Sequence, residues 1–316
     1  MDKHNICVLG GTGFVGHHLV ARLNELGHAV KILTQHREKH RPLLVLPLSH
    51  VIETNVYDIN RLKSEFRDFD TVINLVGILN ESGHSGHGFR KAHVELSRAV
   101  LEACKQTKVK RLLHMSALNA DASKGPSVYL RTKGEAEDYL HTFHGGVNVT
   151  TFRPSVIFGP DDSFFNRFAN LLKIAPYFFP LACANARFAP VYIGDLVEEF
   201  IKAVEDPETY NKRINLCGPE IYTLKELVEY TAEVMQIRRK VFGIPNVIAV
   251  LQAVFMEYFI PSKPFSLDNY NSLKNDSVCN NGTKLNTSIK SIVPGYLGTK
   301  NLQHRYDEFR QDAHRQ

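Results

Sequence analysis

A tyrosine and a lysine stand four residues apart at Tyr129 and Lys133, in a segment with helical periodicity. Residues with this spacing lie on the same face of a helix. A nearby ammonium group can lower the pKa of a phenol, so Tyr129 could act as an acid or a base toward a carbonyl or an alcohol. Tyr270 and Lys274 repeat the spacing. Only position favours the first pair, because it follows the fifth predicted strand.

A glycine-rich turn lies near the start of the chain, where Gly10, Gly13 and Gly16 follow the apolar run 6–9. Helical periodicity begins directly after the turn, at Phe14. A strand, a tight glycine turn and a helix N-terminus in this order can hold a pyrophosphate on free backbone amides. A turn that only packs a helix on a strand is the alternative. The position of the pattern after a clean N-terminal strand favours a dinucleotide.

The end of the second predicted strand bears on the choice of nucleotide. Enzymes that use NAD often place an acid here to hold the ribose hydroxyls, yet the sequence runs Thr34-Gln-His-Arg37. Arg37 could pair with a 2′-phosphate instead, which favours NADP(H) over NAD(H). After the third strand, Asn55 and Val56 stand where such folds flank the adenine. Asp58 is predicted to cap the next helix.

Composition excludes several classes of function. The chain is 43% hydrophobic and 22% charged, with a formal net charge of +5 that is spread along its length. We therefore expect no nucleic-acid partner, and the charge is compatible with an anionic cofactor or membrane surface. No apolar run is long enough to span a bilayer, so the chain is predicted not to be transmembrane. His84 and His87 could be read as metal ligands, but no further ligand cluster supports this, and we expect no metal.

The cysteines and the C-terminal part give three further expectations. Five widely spaced cysteines without a C-x-x-C motif predict buried free thiols in a reducing compartment. The apolar helix predicted at 246–258 is expected to be core, with contact at a membrane edge as the alternative. Beyond Ser277 the chain is polar and predicted to be loose until Tyr296. A strand that begins within five residues of Met1 leaves no room for a leader peptide.

The order of predicted elements indicates an α/β fold. Apolar strands alternate with amphipathic helices, as in a doubly wound Rossmann sheet. We assign residues 1–155 to an NAD(P)-binding domain and residues 156–316 to a smaller, interleaved C-terminal α/β substrate domain. The segment of about 189–216 is expected to return to the first domain.

Four motifs together resemble the extended and atypical short-chain dehydrogenase/reductases. They are Gly10-Gly-Thr-Gly-Phe-Val-Gly16, Tyr129-x-x-x-Lys133, Arg153-Pro-Ser-Val-Ile-Phe-Gly-Pro160 and Pro190-Val-Tyr-Ile-Gly-Asp195. The segments 72–78, 114–120 and 129–135 resemble a narrower group, the bacterial relatives of the nucleotide-binding accessory subunit of respiratory complex I. The similarity covers about residues 5–275.

The resemblance implies positions for a bound nucleotide. The residues implied for the pyrophosphate are Gly10, Thr12, Gly13, Phe14 and Gly16. Arg37 would hold the 2′-phosphate, Asn55 and Val56 would touch the adenine, and Val76 would touch the nearby ribose. Tyr129 and Lys133 would hold the nicotinamide ribose and could also serve chemistry.

One position departs from the pattern of the sugar-nucleotide epimerases and dehydratases. These enzymes carry a Ser or Thr just after strand five, where the preferred register of this chain has Ala117. Ser116 stands one residue earlier, and because side chains alternate along a strand it need not point at the substrate. The catalytic set Ser116, Tyr129 and Lys133 is thereby weakened.

Three functions remain open on these residues. The first is an NADPH-dependent oxidoreductase, linked to respiratory complex I or to ubiquinone metabolism and acting on an unidentified small molecule. The second is a non-catalytic NADPH-binding module of a membrane-associated complex, and the third is a sugar-nucleotide epimerase or dehydratase, which Ala117 disfavours. The missing import segment implies a bacterial cytoplasmic protein, or one peripheral at the inner membrane with a respiratory-complex partner.

Overall fold

A parallel β-sheet forms the centre of the computed structural model, which describes residues 3–37, 41–81, 83, 85–259 and 265–298. The strands are β1 (Asn5–Leu9), β2 (Ala29–Thr34), β3 (Ser49–Glu53), β4 (Thr71–Asn74), β5 (Arg111–Met115), β6 (Asn148–Pro154), β7 (Ile157–Phe158), β8 (Phe178–Leu181), β9 (Arg187–Phe188), β10 (Val191–Tyr192), β11 (Lys212–Cys217), β12 (Tyr222–Thr223), β13 (Lys240–Gly243) and β14 (Thr283–Lys284).

Helices cover both faces of this sheet and build a second lobe. The helices are α1 (Phe14–Glu25), α2 (Arg41–Leu44), α3 (Ile59–Phe66), α4 (His87–Phe89), α5 (Leu96–Thr107), α6 (Val128–Thr142), α7 (Phe165–Ile174), α8 (Ile193–Glu205), α9 (Leu224–Val234), α10 (Asn246–Phe259), α11 (Leu267–Ser272) and α12 (Ile289–Leu297). A π-helical segment, Arg90–Glu95, joins α4 to α5, and a 3₁₀ turn covers Pro207–Thr209.

Among the described residues, eight strands pair in the order β14-β11-β6-β5-β4-β1-β2-β3. Each neighbouring pair is parallel. β1 lies between β2 and β4. The chain therefore builds the sheet outward from β1 in two directions, first through β2 and β3 on one side and then through β4, β5 and β6 on the other. In a doubly wound sheet the ligand crevice lies at this switch point, outside the carboxyl ends of the strands. The predicted α/β Rossmann fold is confirmed.

Two apolar layers fix the sheet between its helices. One layer packs α1 and α8 against one face, with Leu19 and Phe200 fully buried. The other packs α3 and α5 against the opposite face, with Phe66 and Leu101 fully buried. Strands that are buried on both faces read as near-continuous apolar runs, and this is why the run 6–9 has no polar alternation.

The second lobe has its own small core and short strand pairs. Phe158, Phe165 and Leu227 are buried in that core. β13 pairs with β8 in parallel. The exposed Phe178 and Pro180 leave β8 without a continuous apolar run in the sequence.

The C-terminal segment corrects two predictions. Cys217 and Cys279 form a disulfide with a Cα–Cα distance of 6.0 Å, so the prediction that the cysteines are free thiols is wrong for these two. Cys7 and Cys104 are buried and free, and Cys183 is half-buried and free. The segment expected to be loose contains β14, which pairs with β11, and α12. Tertiary contacts supply the order that local sequence lacks.

Candidate dinucleotide site

The glycine turn between β1 and α1 has the geometry of an anion cradle. Gly10 has φ 76°, a left-handed conformation that favours glycine, and its carbonyl accepts a hydrogen bond of 3.1 Å from the Gly13 N–H. Gly13 is the N-cap of α1, no side chain caps this end, and the first turn carries no acid. The amides of the first turn are thereby left for a ligand with negative charge.

Close packing explains the other glycines of the turn. A Cβ on Gly16 would lie 2.3 Å from the Gly10 oxygen, whereas a Cβ on Gly13 would meet only that oxygen, at 3.4 Å. Gly16 therefore lets helix and turn approach, and Gly13 faces open space. Thr12 and Phe14 are half-buried beside them, and the Phe14 ring contacts His18. Gly13 therefore leaves the front of the first turn of α1 open, as the predicted pyrophosphate position requires.

A cleft of about 520 Å³ opens at the carboxyl ends of β2 and β3, where an adenosine would lie. Its lining residues are Gln35, Glu53, Thr54, Asn55, Arg61 and Glu65. Asn55 is exposed, and its Oδ1 accepts from the Tyr57 N–H, whereas Val56 is buried in the core.

Arg37 is exposed at the edge of this region, and its backbone N–H donates to Glu53 at 2.9 Å. Sequence analysis found no acid after β2. The structure brings one from β3, because Thr34 and Glu53 are paired neighbours in the sheet. It also adds Arg61 as a second cation in the cleft. Glu53 was missed because strand pairing brings it to the cleft, and Arg61 because the packing of α3 does so.

Val76 and Gly77 connect the glycine turn to the predicted Tyr–Lys pair. A Cβ on Gly10 would lie 3.0 Å from the Val76 nitrogen, and one on Gly77 would lie 2.9 Å from Lys133 Nζ. Lys133 is buried, and its ammonium donates to the Met115 carbonyl at the end of β5 at 3.0 Å. The carboxyl ends of β1, β4 and β5 thus bring together residues from four separate parts of the chain.

Tyr129 lies in the first turn of α6, which Ser127 caps by accepting from the Leu130 N–H. Asp268 of α11 accepts from the Val128 and Tyr129 N–H groups and so holds this end of the helix. The second copy of the motif lies elsewhere. Tyr270 is buried among Ala182, Ala249 and Ala253 in the second lobe, away from the glycine turn.

The ionisation of the pair differs from the sequence expectation. Burial raises the pKa of Tyr129 to about 12, and the Asp268 carboxylate adds to the shift. Burial lowers the pKa of Lys133 to about 8, partly opposed by Glu137. The expectation that Lys133 lowers the phenol pKa is not met, because burial and the Asp268 carboxylate set the direction of the shift, and Tyr129 is protonated at neutral pH.

Ser116 follows the last residue of β5. Its backbone N–H donates to the Phe152 carbonyl, and its Oγ is buried without a hydrogen-bond partner among the described residues. A buried hydroxyl without a partner is uncommon and marks a place where a polar ligand atom could be accommodated. Ala117 is half-buried at the next position.

His93 is a site residue that the sequence analysis missed. It lies in the π-helical segment, where its Nε2 accepts from the Ile78 N–H at 3.2 Å and its Nδ1 lies 2.9 Å from Thr132 Oγ1. Its ring contacts Tyr129 edge to face, with centroids 5.5 Å apart. Burial and the nearby Lys133 ammonium lower the pKa of His93 to about 2, so the ring is neutral. A π-helical turn contains one residue more than an α-helical turn, and this wider turn positions the His93 ring. The sequence carries no signature of such a turn.

Among the residues that the structure describes, no group of three or more His, Cys, Asp or Glu side chains is placed to hold a metal. His87 is exposed, and His84 lies outside the described residues. In the same part of the chain, no helix has the length and apolarity needed to cross a bilayer.

Comparison with known proteins identifies the family to which this geometry belongs. The sequence profile described as the NAD dependent epimerase/dehydratase family matches residues 6–217. This chain belongs to that family. The match contains the glycine turn and the Tyr–Lys pair, and the nucleotide predicted from the turn agrees with the NAD dependence in the family's description.

Similar curated proteins point to a narrower relationship. The chain is 29% identical over 233 residues to "NADH dehydrogenase [ubiquinone] 1 alpha subcomplex subunit 9, mitochondrial" of Mus musculus, covering 71% of this chain and 59% of the mouse protein. It is 25% identical over 288 residues to the protein of that name in Arabidopsis thaliana, covering 86% of this chain and 70% of the plant protein. It is also 22% identical over 246 residues to "Ceramide reductase" of Caulobacter vibrioides, covering 76% and 74%.

Solved structures show the same fold. UDP-glucose 4-epimerase of Thermotoga maritima has a TM-score of 0.66 at 20% identity, covering 76% of this chain and 85% of the epimerase. The enzyme WbmH of Bordetella bronchiseptica, solved in complex with NAD+, has a TM-score of 0.64 at 18% identity, covering 77% and 86%. These structures support the family's Rossmann architecture and the predicted resemblance to short-chain dehydrogenase/reductases.

Proposed function

We propose that this protein binds NADP(H) and reduces a small carbonyl or quinone substrate, with Tyr129 as the proton donor. The observation that carries the proposal is the continuous arrangement from Gly13 through Val76 to Lys133 and Tyr129. The anion cradle would hold the pyrophosphate in the middle of the dinucleotide, and the protonated phenol would lie near its nicotinamide end. In this proposal residues 1–155 bind the nucleotide, the segment 189–216 supports them, and residues 156–316 close over the substrate.

The chemistry needs a hydride donor and a proton donor. NADPH held at this site would supply a hydride from its reduced nicotinamide, leaving NADP⁺. Tyr129 would donate its phenolic proton to the substrate oxygen, so that a C–H and an O–H bond form as the nicotinamide C–H, the phenolic O–H and the carbonyl π bond break. The Lys133 ammonium stabilises the phenolate that remains, and solvent returns the proton. A pKa of about 12 keeps Tyr129 in its acid form, which favours reduction over oxidation at neutral pH.

Two arginines support a preference for NADP(H). Arg37 follows β2, and Arg61 lines the cleft beside it, so both could pair with a 2′-phosphate. Glu53 opposes this preference, because its carboxylate accepts from the Arg37 N–H in the same region. We therefore expect Arg37→Glu to shift the affinity ratio from NADPH toward NADH and Glu53→Gln to shift it toward NADPH. Fluorescence titration with both nucleotides measures each ratio, and an unaltered ratio in both variants contradicts the assignment.

We also propose a respiratory-complex partner, and a link to ubiquinone metabolism, for this protein. Support comes from the relatives of mouse and Arabidopsis, whose names place them in NADH dehydrogenase. The chain spans 59% of the length of the mouse relative, so that the association of the whole relative is carried over only as a proposal. A cytoplasmic protein that is peripheral at the inner membrane fits this partner.

A non-catalytic NADPH-binding module is the second candidate. Two observations favour it: Ala117 stands at the expected hydroxyl position, and among the described residues the Lys133 ammonium donates to the Met115 carbonyl and not to the Tyr129 hydroxyl. A sugar-nucleotide epimerase or dehydratase, the third function considered, is disfavoured by the same alanine.

The substitution Tyr129→Phe separates the two leading candidates. Tyr139→Phe is the matched control, because it removes a phenol from the same helix where the hydroxyl lies 3.5 Å from Glu102, outside the site. Protein loaded with NADPH is mixed with aldehyde and quinone panels, and the decay of nicotinamide fluorescence is followed. Decay in wild type and Tyr139→Phe but not in Tyr129→Phe supports the oxidoreductase. Retained nucleotide without decay in any variant supports the module.

A further inference from the structure

Helix α10 packs on the second lobe through its small residues and exposes its large ones. Ala249 and Ala253 are fully buried against Ala182 and Tyr270. Val247 and Leu251, by contrast, are 74% and 64% exposed, and Ile248 is exposed beside them. A helix that completes a core shows the opposite arrangement. The expectation that this helix is core is therefore wrong for its outer side.

A second group of exposed apolar residues adjoins α10 through the strand pair β8–β13. Phe242 of β13 and Phe178 of β8 are both exposed, with ring centroids 6.5 Å apart, and Tyr177 contacts Phe178 at 5.1 Å. Only residues 244 and 245 separate β13 from α10. The two groups form what we call the outer face of the second lobe: Ile174, Tyr177, Phe178, Phe242, Val247, Ile248 and Leu251. Exposed apolar patches of this kind mark interaction sites.

The outer face has an excess of positive charge. The stretches 173–178 and 237–251, which contain all of its residues, include four Lys or Arg residues and neither Asp nor Glu, while Glu257 lies further along α10 and accepts from the Leu267 N–H. Lys173, Arg238 and Lys240 are exposed at its edge. Arg239 fixes this edge by donating from Nε to the Leu172 carbonyl, and the Lys240 N–H donates to the Tyr177 carbonyl.

We propose that the outer face of the second lobe docks on an anionic lipid bilayer. An amphipathic helix can lie in the plane of the interface with its apolar side among the acyl chains, while Lys and Arg attract anionic headgroups. Tyrosine and phenylalanine at the boundary suit the same environment. A second copy of this chain fits less well, because a two-fold interface would bring the cations of one outer face against those of the other.

Docking on a bilayer rests on the proposed function, because it identifies the membrane as a partner of this protein. Its test does not use the nucleotide. Purified full-length protein is floated with vesicles of phosphatidylcholine alone and with vesicles that contain equal parts of phosphatidylcholine and phosphatidylglycerol. We expect binding to the anionic vesicles only, with an affinity that falls as salt rises. Absence of binding to both kinds of vesicle overturns the proposal.

Two pairs of substitutions test the surface itself. Ile248→Gln with Leu251→Gln is expected to abolish flotation, and Arg238→Gln with Lys240→Gln to weaken it about fivefold for each charge removed. Ile221→Gln with Lys290→Gln is the control, because these residues are exposed elsewhere. If both of these double variants float as well as wild type, the proposal is overturned. If the Ile248→Gln, Leu251→Gln protein does not fold, the result for the Arg238→Gln, Lys240→Gln protein decides alone.

Self-association is the competing outcome. Sedimentation velocity without lipid should show a monomer at every concentration for wild type and variants. A dimer that is lost in the Ile248→Gln, Leu251→Gln protein, together with no flotation, would assign the face to a second copy and overturn the lipid assignment. NADPH affinity, measured separately, shows whether the proposed function has failed independently.

Discussion

At the scale of single residues, Lys133 combines a buried charge with one clear hydrogen-bond partner. The ammonium donates to the Met115 carbonyl, and burial lowers its pKa to about 8. The proposed stabilisation of the Tyr129 phenolate requires the charged form, which is present below this pKa and lost as the pH rises through it. Any NADPH-dependent reduction should therefore decline above pH 8.

The pH profile of turnover checks this prediction. Lys133→Met should be slower at neutral pH and should lack the decline near pH 8. Lys124→Met, which removes an exposed lysine, should keep the wild-type profile. A decline that persists in Lys133→Met would assign the titration to another group.

His93 gives a second prediction at this scale. Its replacement by alanine leaves the Ile78 N–H without its acceptor and Thr132 Oγ1 without a partner nitrogen. An unsatisfied buried donor costs about 1–3 kcal/mol, so His93→Ala should lower the free energy of unfolding by at least this amount. His87→Ala, at an exposed position, should stay within about 0.5 kcal/mol of wild type.

Urea unfolding measures both histidine variants. Because the pKa of His93 is lowered to about 2, its ring stays neutral in the folded protein at pH 5, whereas in the unfolded chain a histidine with its ordinary pKa of about 6.5 takes up a proton. Wild type therefore loses stability relative to His93→Ala as the pH falls from 8 to 5, and the difference between the two proteins should shrink. A difference that stays constant over this range would contradict a His93 that is neutral in the folded state.

At the scale of elements, two glycines of the same turn differ in role: we expect Gly16 to be needed for packing and Gly13 for ligand binding. A Cβ on Gly13 meets only the Gly10 oxygen at 3.4 Å, while one on Gly16 would lie 2.3 Å from the same atom. Gly13→Ala should keep the free energy of unfolding within about 1 kcal/mol of wild type, since it changes only an N-cap. It should nevertheless weaken dinucleotide binding, because the methyl group enters the cradle.

Gly16→Ala is the matched variant, and it should destabilise the fold as well as binding. Isothermal titration with NADPH and urea unfolding, applied to both proteins, distinguish the two effects. If Gly13→Ala bound NADPH with the wild-type affinity, the assignment of the pyrophosphate to the front of this residue would be wrong.

Helix starts were predictable at this scale because caps are local. Asp58 accepts from the Asn60 and Arg61 N–H groups, as its position before an apolar-periodic segment predicted. The π-helical segment that places His93 was not predictable, since the same residues are compatible with an unbroken α-helix. Tertiary packing against Ile78 and Thr132 selects the wider turn.

At the scale of the whole molecule, the disulfide ties the C-terminal segment to the main sheet. Cys217 ends β11, and Cys279 lies 62 residues later in the chain. The entropy of closing a loop of this length corresponds to about 4 kcal/mol, so Cys279→Ser should lower the free energy of unfolding by about that amount. Cys183→Ser, at a free and half-buried thiol, is the control.

Unfolding with and without a reducing agent measures the effect of the disulfide. Reduction should destabilise wild type to the level of Cys279→Ser and leave that variant unchanged. Equal stability of reduced and oxidised wild type would contradict a structural contribution from this bond.

The sequence by itself determined the Rossmann fold, the glycine turn and the position of the Tyr–Lys pair. Their determinants are local: the apolar run 6–9, the turn from Gly10 and the spacing of Tyr129 and Lys133 each act within a few residues. The tertiary structure alone decided which side chains contact one another, which are buried and which are exposed. It brought Glu53 to Arg37, desolvated Tyr129, paired Cys217 with Cys279 and turned the large side chains of α10 outward. Each of these depends on contacts between segments distant in the chain, and residue type and spacing do not encode such contacts.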